Sequence, residues 1–108
     1  MVALFGCGLA NAADDDFDTL TKRTVQGDAG AQNLLGAMYS EGSGVPQDDA
    51  MAYAWFNVAA ASGFEMAKEA RDMVRKMATP SQIGKGQSLA TVIFARIQKW
   101  KQAAEHSY

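Results

Sequence analysis

Three groups of residues in this chain have side chains and spacings that could do chemistry. Asp14, Asp15, Asp16 and Asp18 form an acidic run of the kind that surrounds a calcium ion. Glu65, Glu69 and Asp72 set carboxylates four and three residues apart, and a pair of such acids is what glycoside hydrolysis needs. The stretch "SEGSGVPQDD", residues 40–49, places glycines ahead of a helical pattern, where backbone N–H groups can cradle a phosphate.

Each group falls short of its chemistry. The acidic run lacks the glycine and closing glutamate of a calcium loop and reads as a solvated tail. Glu65, Glu69 and Asp72 share a helical segment with Lys68, Arg71, Arg75 and Lys76, so surface pairs such as Asp72–Lys76 account for them. The glycine loop has no Lys-Ser/Thr for phosphate and magnesium, follows a helix rather than a strand, and runs into two aspartates that repel anions. Cys7 is the only cysteine and His106 the only histidine, so neither a catalytic triad nor a zinc ligand set can be assembled. The expectation is no catalytic residue, no cofactor and no metal.

At 108 residues the chain has room for one small domain. Its net charge of −2 gives no general basic character, and no nucleic-acid partner is expected. The charge is nevertheless unevenly spread. Residues 1–60 carry two cations and eight acids, a balance of −6, whereas 61–108 carry eight cations and four acids, a balance of +4. Such a split could assist head-to-tail contacts, or it reflects solvated faces that differ.

The beginning reads as the remnant of an export leader, residues 1–12. An apolar run reaches the small triplet Ala10-Asn11-Ala12, which suits signal peptidase, and the chain then turns acidic. No Lys or Arg precedes the run, so the true start is expected upstream of Met1. Leu4-Phe5-Gly6-Cys7 loosely resembles a lipoprotein box, but Phe5 is too bulky for its position. A periplasmic or secreted location is expected, with no stable membrane span in the mature chain.

From residue 13 to 108 the pattern is helical throughout. Segments are predicted at 16–26, 29–39, 48–62, 64–78 and 80–103, with Asp48 capping the third. "TPSQ" supplies Thr79 as cap, Pro80 at the first helical position and Gln82 to close a capping box. The last helix carries Ile83, Ala90, Ile93, Ile97 and Trp100 at helical spacing, while Gly84 and Gly86 weaken its first turns. The third segment is apolar from Ala50 to Ala61 apart from Asn57, so it must be the central helix, covered on several sides. Its alanines, with Gly36 opposite, allow close backbone approach, and Tyr53, Trp55 and Phe56 supply buried area. Met51, Met66, Met73 and Met77 are read as core filler. Arg96, Lys99 and Lys101 around Trp100 read as a solvated end-cap helix rather than an anionic-surface contact.

The chain also repeats itself. Gly27-Asp28-Ala29-Gly30-Ala31-Gln32 falls on Gly63-Phe64-Glu65-Met66-Ala67-Lys68 at an offset of 36, and Phe17 and Leu20 fall on Tyr53 and Phe56. One full helix-turn-helix unit is therefore flanked by two halves. Ala31, Leu35-Gly36, Tyr39, Gly42-x-Gly44-Val45, Asp48, Ala52, Trp55 and Ala59-Ala60-x-x-Gly63 together resemble a Sel-1-like repeat, a relative of the tetratricopeptide repeat. The full repeat spans about 28–63 and the likeness extends over roughly 17–100. Under this reading Gly42 and Gly44 take positive φ, Val45 plugs the gap between helices, and Pro46 interrupts the helix.

The resemblance implies an all-α fold of antiparallel helix-turn-helix repeats, with the long last helix as a cap. It also implies a scaffold or adaptor that binds protein or peptide partners in a groove lined by the first helix of each unit. Gln32, Asn33, Lys68, Arg71 and Arg75 are the polar positions expected on that groove. Two alternatives stay open: an envelope-glycan or peptidoglycan binder, which needs exposed aromatics, and a small hydrolase using surface carboxylates. So few repeats bury little continuous core, so either the last helix folds back or two chains stack through their open ends.

Overall fold

The computed structural model describes residues 20–105. The proposed leader, the acidic run at 14–18 and His106 lie outside the described residues. Within them the chain is helical, and it opens in a helical segment over 20–25, α1. Four complete helices follow: α2 (Ala29–Glu41), α3 (Asp49–Ala61), α4 (Glu65–Met77) and α5 (Pro80–Glu105).

Local chemistry sets the boundaries. Asp28 caps α2 by accepting from the Ala31 N–H at 3.1 Å, and Asp48 caps α3 by accepting from Met51 N–H at 3.1 Å. The predicted capping box at α5 is present and reciprocal: Thr79 N–H donates to Gln82 Oε1 at 2.9 Å and Gln82 N–H to Thr79 Oγ1 at 3.1 Å. α2 runs two residues beyond the predicted 39, because the helix continues until Gly42 turns left-handed at φ 72°. Gly44 follows at φ 81°, and the Asp48 N–H then donates to the Tyr39 carbonyl at 2.9 Å, which closes the loop across the end of α2. Val45 is partly buried beneath this loop end.

The 36-residue offset is exact in the coordinates. α2 begins at 29 and ends at 41; α4 begins at 65 and ends at 77. Ala31 and Ala67, which correspond, are both buried.

α3 is the central helix, packing against α2, α4 and α5. On one side Ala54, Trp55 and Val58 meet Leu35 of α2 and Ala90 and Ile97 of α5, with Leu20 of α1 closing that cluster. On another side Tyr53 and Phe56 meet Val74 of α4. The long α5 thus folds back across the domain, and Lys101 near its end passes beside Gly27. This cover supplies burial that so short a repeat array could not provide by itself.

Gly86 explains how α5 comes so close. A Cβ there would stand 2.8 Å from the Ala50 carbonyl oxygen and 2.9 Å from Tyr53 Cδ2. What sequence reading treats as a weak helix former is a contact point between two backbones. Gly84, by contrast, has open space around it.

Candidate docking groove

α2 and α4 both lean on α3, and a depression opens between them. It has a volume of about 120 Å³ and is lined by Ala37, Ser40 and Glu41 of α2, Phe56 of α3, and Ala70, Met73, Val74 and Met77 of α4. The Phe56 ring forms its floor and lies against Gly36, where an added Cβ would sit 2.6 Å from Cδ1. Gly36 is therefore required for the ring to lie flat between the helices.

The rim is apolar to an unusual degree for a surface. Met66, Met73 and Met77 are 69%, 63% and 65% exposed. With Ala70 they occupy positions four, three and four residues apart, one row along α4. These three methionines are thus not core filler. α4 has a second apolar row, Ala67 and Val74, and that row is the buried one. A single helix contacting one neighbour can bury only one of its two rows. Met51, by contrast, packs against the core as expected.

The repeat relates the two walls. Ala37 corresponds to Met73 and Glu41 to Met77 at the 36-residue offset, so equivalent faces of successive first helices form the groove. Leu34, three residues before Ala37, extends the α2 wall and is also exposed.

The five polar residues expected on the groove are distributed otherwise. Gln32 is fully buried, and its Nε2 donates to the Thr24 carbonyl at 3.0 Å, tying α2 to α1. It is shut away from any groove because its row on α2 faces the preceding segment. Arg71 donates to Asn57 Oδ1 at 3.2 Å and to Asp72 Oδ1 at 3.4 Å. Arg75 donates to the Tyr53 hydroxyl at 2.7 Å and sits 5.6 Å from its ring centroid. Residues two apart on a helix point about 200° apart, so Arg71 and Arg75 face away from Met73 and Met77. They fasten α4 to α3. Lys68 is exposed and pairs with Glu65 at 3.5 Å. Asn33 alone shares the groove row of Ala37 and Ser40, and its Oδ1 is buried without a hydrogen-bond partner.

The electrostatics are those of a surface, with few perturbed groups. Burial and then the Asp48 carboxylate push the Tyr39 phenol above its ordinary value, which keeps it neutral at the end of α2. The hydrogen bond from Arg75 to Tyr53 raises the guanidinium further, so its charge is permanent. Asp72 engages Arg71 rather than Lys76. Among the described residues no group of three or more His, Cys, Asp or Glu side chains could hold a metal ion. No helix of the described residues is long and apolar enough to cross a membrane.

The loop that returns from α2 to α3, the buried Leu35-Gly36 pair and the 36-residue spacing all belong to one kind of unit, and a family comparison names it. The Sel1 repeat model matches residues 29–64. The chain carries a Sel1 repeat. Its match begins at the first residue of α2 and ends just before α4, so it covers the α2–α3 hairpin and its closing turn. A search of curated proteins finds no match. Sel1 repeats are generally protein–protein interaction modules and typically non-catalytic. The groove lies between the first helix of this Sel1 repeat and α4, its counterpart in the next half-unit.

Proposed function

We propose that the protein is a non-catalytic docking module that holds a segment of a partner protein in the groove between α2 and α4. One observation carries this reading: the exposed row Met66–Ala70–Met73–Met77 beside the Phe56 floor. Contiguous exposed apolar surface on a small domain marks an interaction site, and methionine side chains adapt to varied partners. A row at helical spacing suits an amphipathic helix laid along the groove.

The reading is tested by capture from the native extract with wild-type protein and with a Met73→Lys, Met77→Lys variant. The groove reading requires a protein that the wild type retains and the variant loses. Equal capture by both, or loss only when Arg71 and Arg75 are changed, would move the site to the other flank of α4.

Two other functions were open from sequence. A glycan binder needs an exposed aromatic platform. Trp100 is 41% exposed but lines neither the groove nor the depression beside Glu65, whereas Tyr53, Trp55 and Phe56 are buried. A carboxylate hydrolase would have to use Glu65, Glu69 and Asp72; two of these are ion-paired on a convex helix.

An envelope location rests on Ala10-Asn11-Ala12 and the acidic residues after it. Amino-terminal sequencing of the native protein should then begin at Ala13. A cytoplasmic protein that retains residues 1–12 would reject export.

A further inference from the structure

Six large hydrophobic residues are exposed among the described residues: Leu34, Met66, Met73, Met77, Val92 and Trp100. Two of them, Met73 and Met77, line the groove, and Leu34 and Met66 continue the rows of its walls along α2 and α4. The other two, Val92 at 50% and Trp100 at 41%, lie on the outer face of α5. That face is set by helical spacing. Gly86, Ala90 and Ile97 are the buried row of α5, and positions 85, 92, 96 and 99 lie about 100–160° round the helix from it. The outer face therefore carries Lys85, Val92, Arg96 and Lys99, with Trp100 at its edge.

The two surfaces are complementary in both respects. The α5 face is a basic helix with two apolar anchors. The groove is an apolar trough whose one charged lining residue is Glu41 on the α2 wall; farther along α4, Glu65 pairs with Lys68, and Glu69 and Lys76 are both exposed. Their lengths agree as well. Val92 to Trp100 spans about 12 Å and Met66 to Met77 about 16 Å at the rise of an α-helix. They cannot meet within one molecule. α5 packs on the side of α3 that presents Ala54, whereas Phe56, two residues on, points to the groove.

We propose that the occupant of the groove is a second copy of this chain, whose α5 outer face docks head-to-tail between α2 and α4. The proposal rests on the groove being a docking site and names what fills it. Val92 and Trp100 of one copy would cover Phe56, Met73 and Met77 of the next, so that four of the six exposed hydrophobics leave water. Arg96 and Lys99 would stand opposite Glu41 and Glu69. Because the two surfaces differ, the contact is heterologous: an open assembly of any size still offers one free groove and one free α5 face at its two ends. Growth beyond a dimer follows, and salt weakens it.

Sedimentation velocity over a concentration series tests this on the full chain. The wild type should show a sedimentation coefficient that rises with concentration past that of a dimer and falls back in 0.5 M salt, where the Debye length is about 4 Å. A groove variant, Met73→Lys, and a face variant, Arg96→Glu with Trp100→Glu, should each associate at least tenfold more weakly, with unchanged helical circular dichroism. Mixed in equal amounts, the two variants should form a 1:1 dimer and nothing larger, since each retains the surface the other lacks. A wild type that stays monomeric throughout, or variants whose mixture stays monomeric, would overturn the proposal. If the wild type is monomeric and Met73→Lys still loses a foreign protein on capture, self-docking alone falls and the groove stands.

Discussion

Replacing Gly86 with valine will destabilise the domain by about 2–3 kcal/mol, the upper part of the range for overpacking a tight contact. The gain in helix propensity over glycine is at most about 1 kcal/mol and does not offset it. The reason lies in what the new atoms would meet. The nearest is the Ala50 carbonyl oxygen, part of the backbone of the central helix, which cannot rotate aside as a side-chain tip would. Tyr53 is the next, and it is itself buried. α5 would have to lift from α3, loosening Ala90 and Ile97 from the cluster they complete. For a domain of this size the loss lowers Tm by about 10–20 °C. Gly84→Ala is the internal control: the space there is open, so the larger propensity gain of alanine appears uncancelled, as stabilisation of up to about 1 kcal/mol. Thermal melts of both variants decide the matter. Similar behaviour of the two would mean that the close approach of α5 to α3 is wrong.

Lysines at positions 73 and 77 will weaken partner binding by at least tenfold, the scale of losing a buried anchor at an interface. They will change unfolding stability by no more than about 0.5 kcal/mol. The two effects separate because both side chains are more than half exposed before any partner arrives, so the folded domain loses little when they change. In the docked state the same positions are covered, and an ammonium group placed there is desolvated without a partner. The contrast with Val74 is instructive. It lies on the buried row of the same helix, and Val74→Lys would unfold the contact with α3 rather than report on docking. A titration of the captured partner, with urea unfolding of the same samples, measures both quantities. Unfolding that moves by several kcal/mol for the 73/77 variant would return these methionines to the core.

Much of the fold was legible because single residues fix it. Asp48, Thr79 and Gln82 mark helix starts whose hydrogen bonds form as expected, and Gly42 and Gly44 turn the chain where glycine is needed. The all-round apolar α3 could only be central, and it is. The offset of 36 set the unit length that the two first helices then share. The groove was harder to read. On α4 the residues Ala67 and Val74 compete with Met66, Ala70, Met73 and Met77 for the single neighbouring helix, and hydrophobicity alone does not say which row wins. Comparing the two units supplies a signal: Met73 and Met77 correspond to Ala37 and Glu41, and a position held by glutamate in one unit is a surface position in the other.

Polarity misled in the opposite direction. Gln32, Arg71 and Arg75 are hydrogen-bonding residues expected on a binding surface, yet Gln32 is buried, and Arg71 and Arg75 each give a donor to α3. Long side chains can do this because their apolar stems pack while their tips reach a partner on the neighbouring helix. The alanine-rich face of α3 leaves room for those tips beside Tyr53 and Asn57. Gly86 shows the same gap between composition and packing, since a residue poor for helix propensity is the one that lets two helices touch.

In the proposed complex the α4 methionine row, and not the arginine flank, meets the partner. The protein carries its own reporters. Met38 and Met51 pack against the core, whereas Met66, Met73 and Met77 line the exposed row. The most direct measurement is the methionine-methyl NMR spectrum of the free protein and of its saturated complex with the captured partner. The Met73 and Met77 signals should move strongly while those of Met38 and Met51 hold their positions. A saturated complex in which Met73 and Met77 stay where they are in the free protein would contradict it.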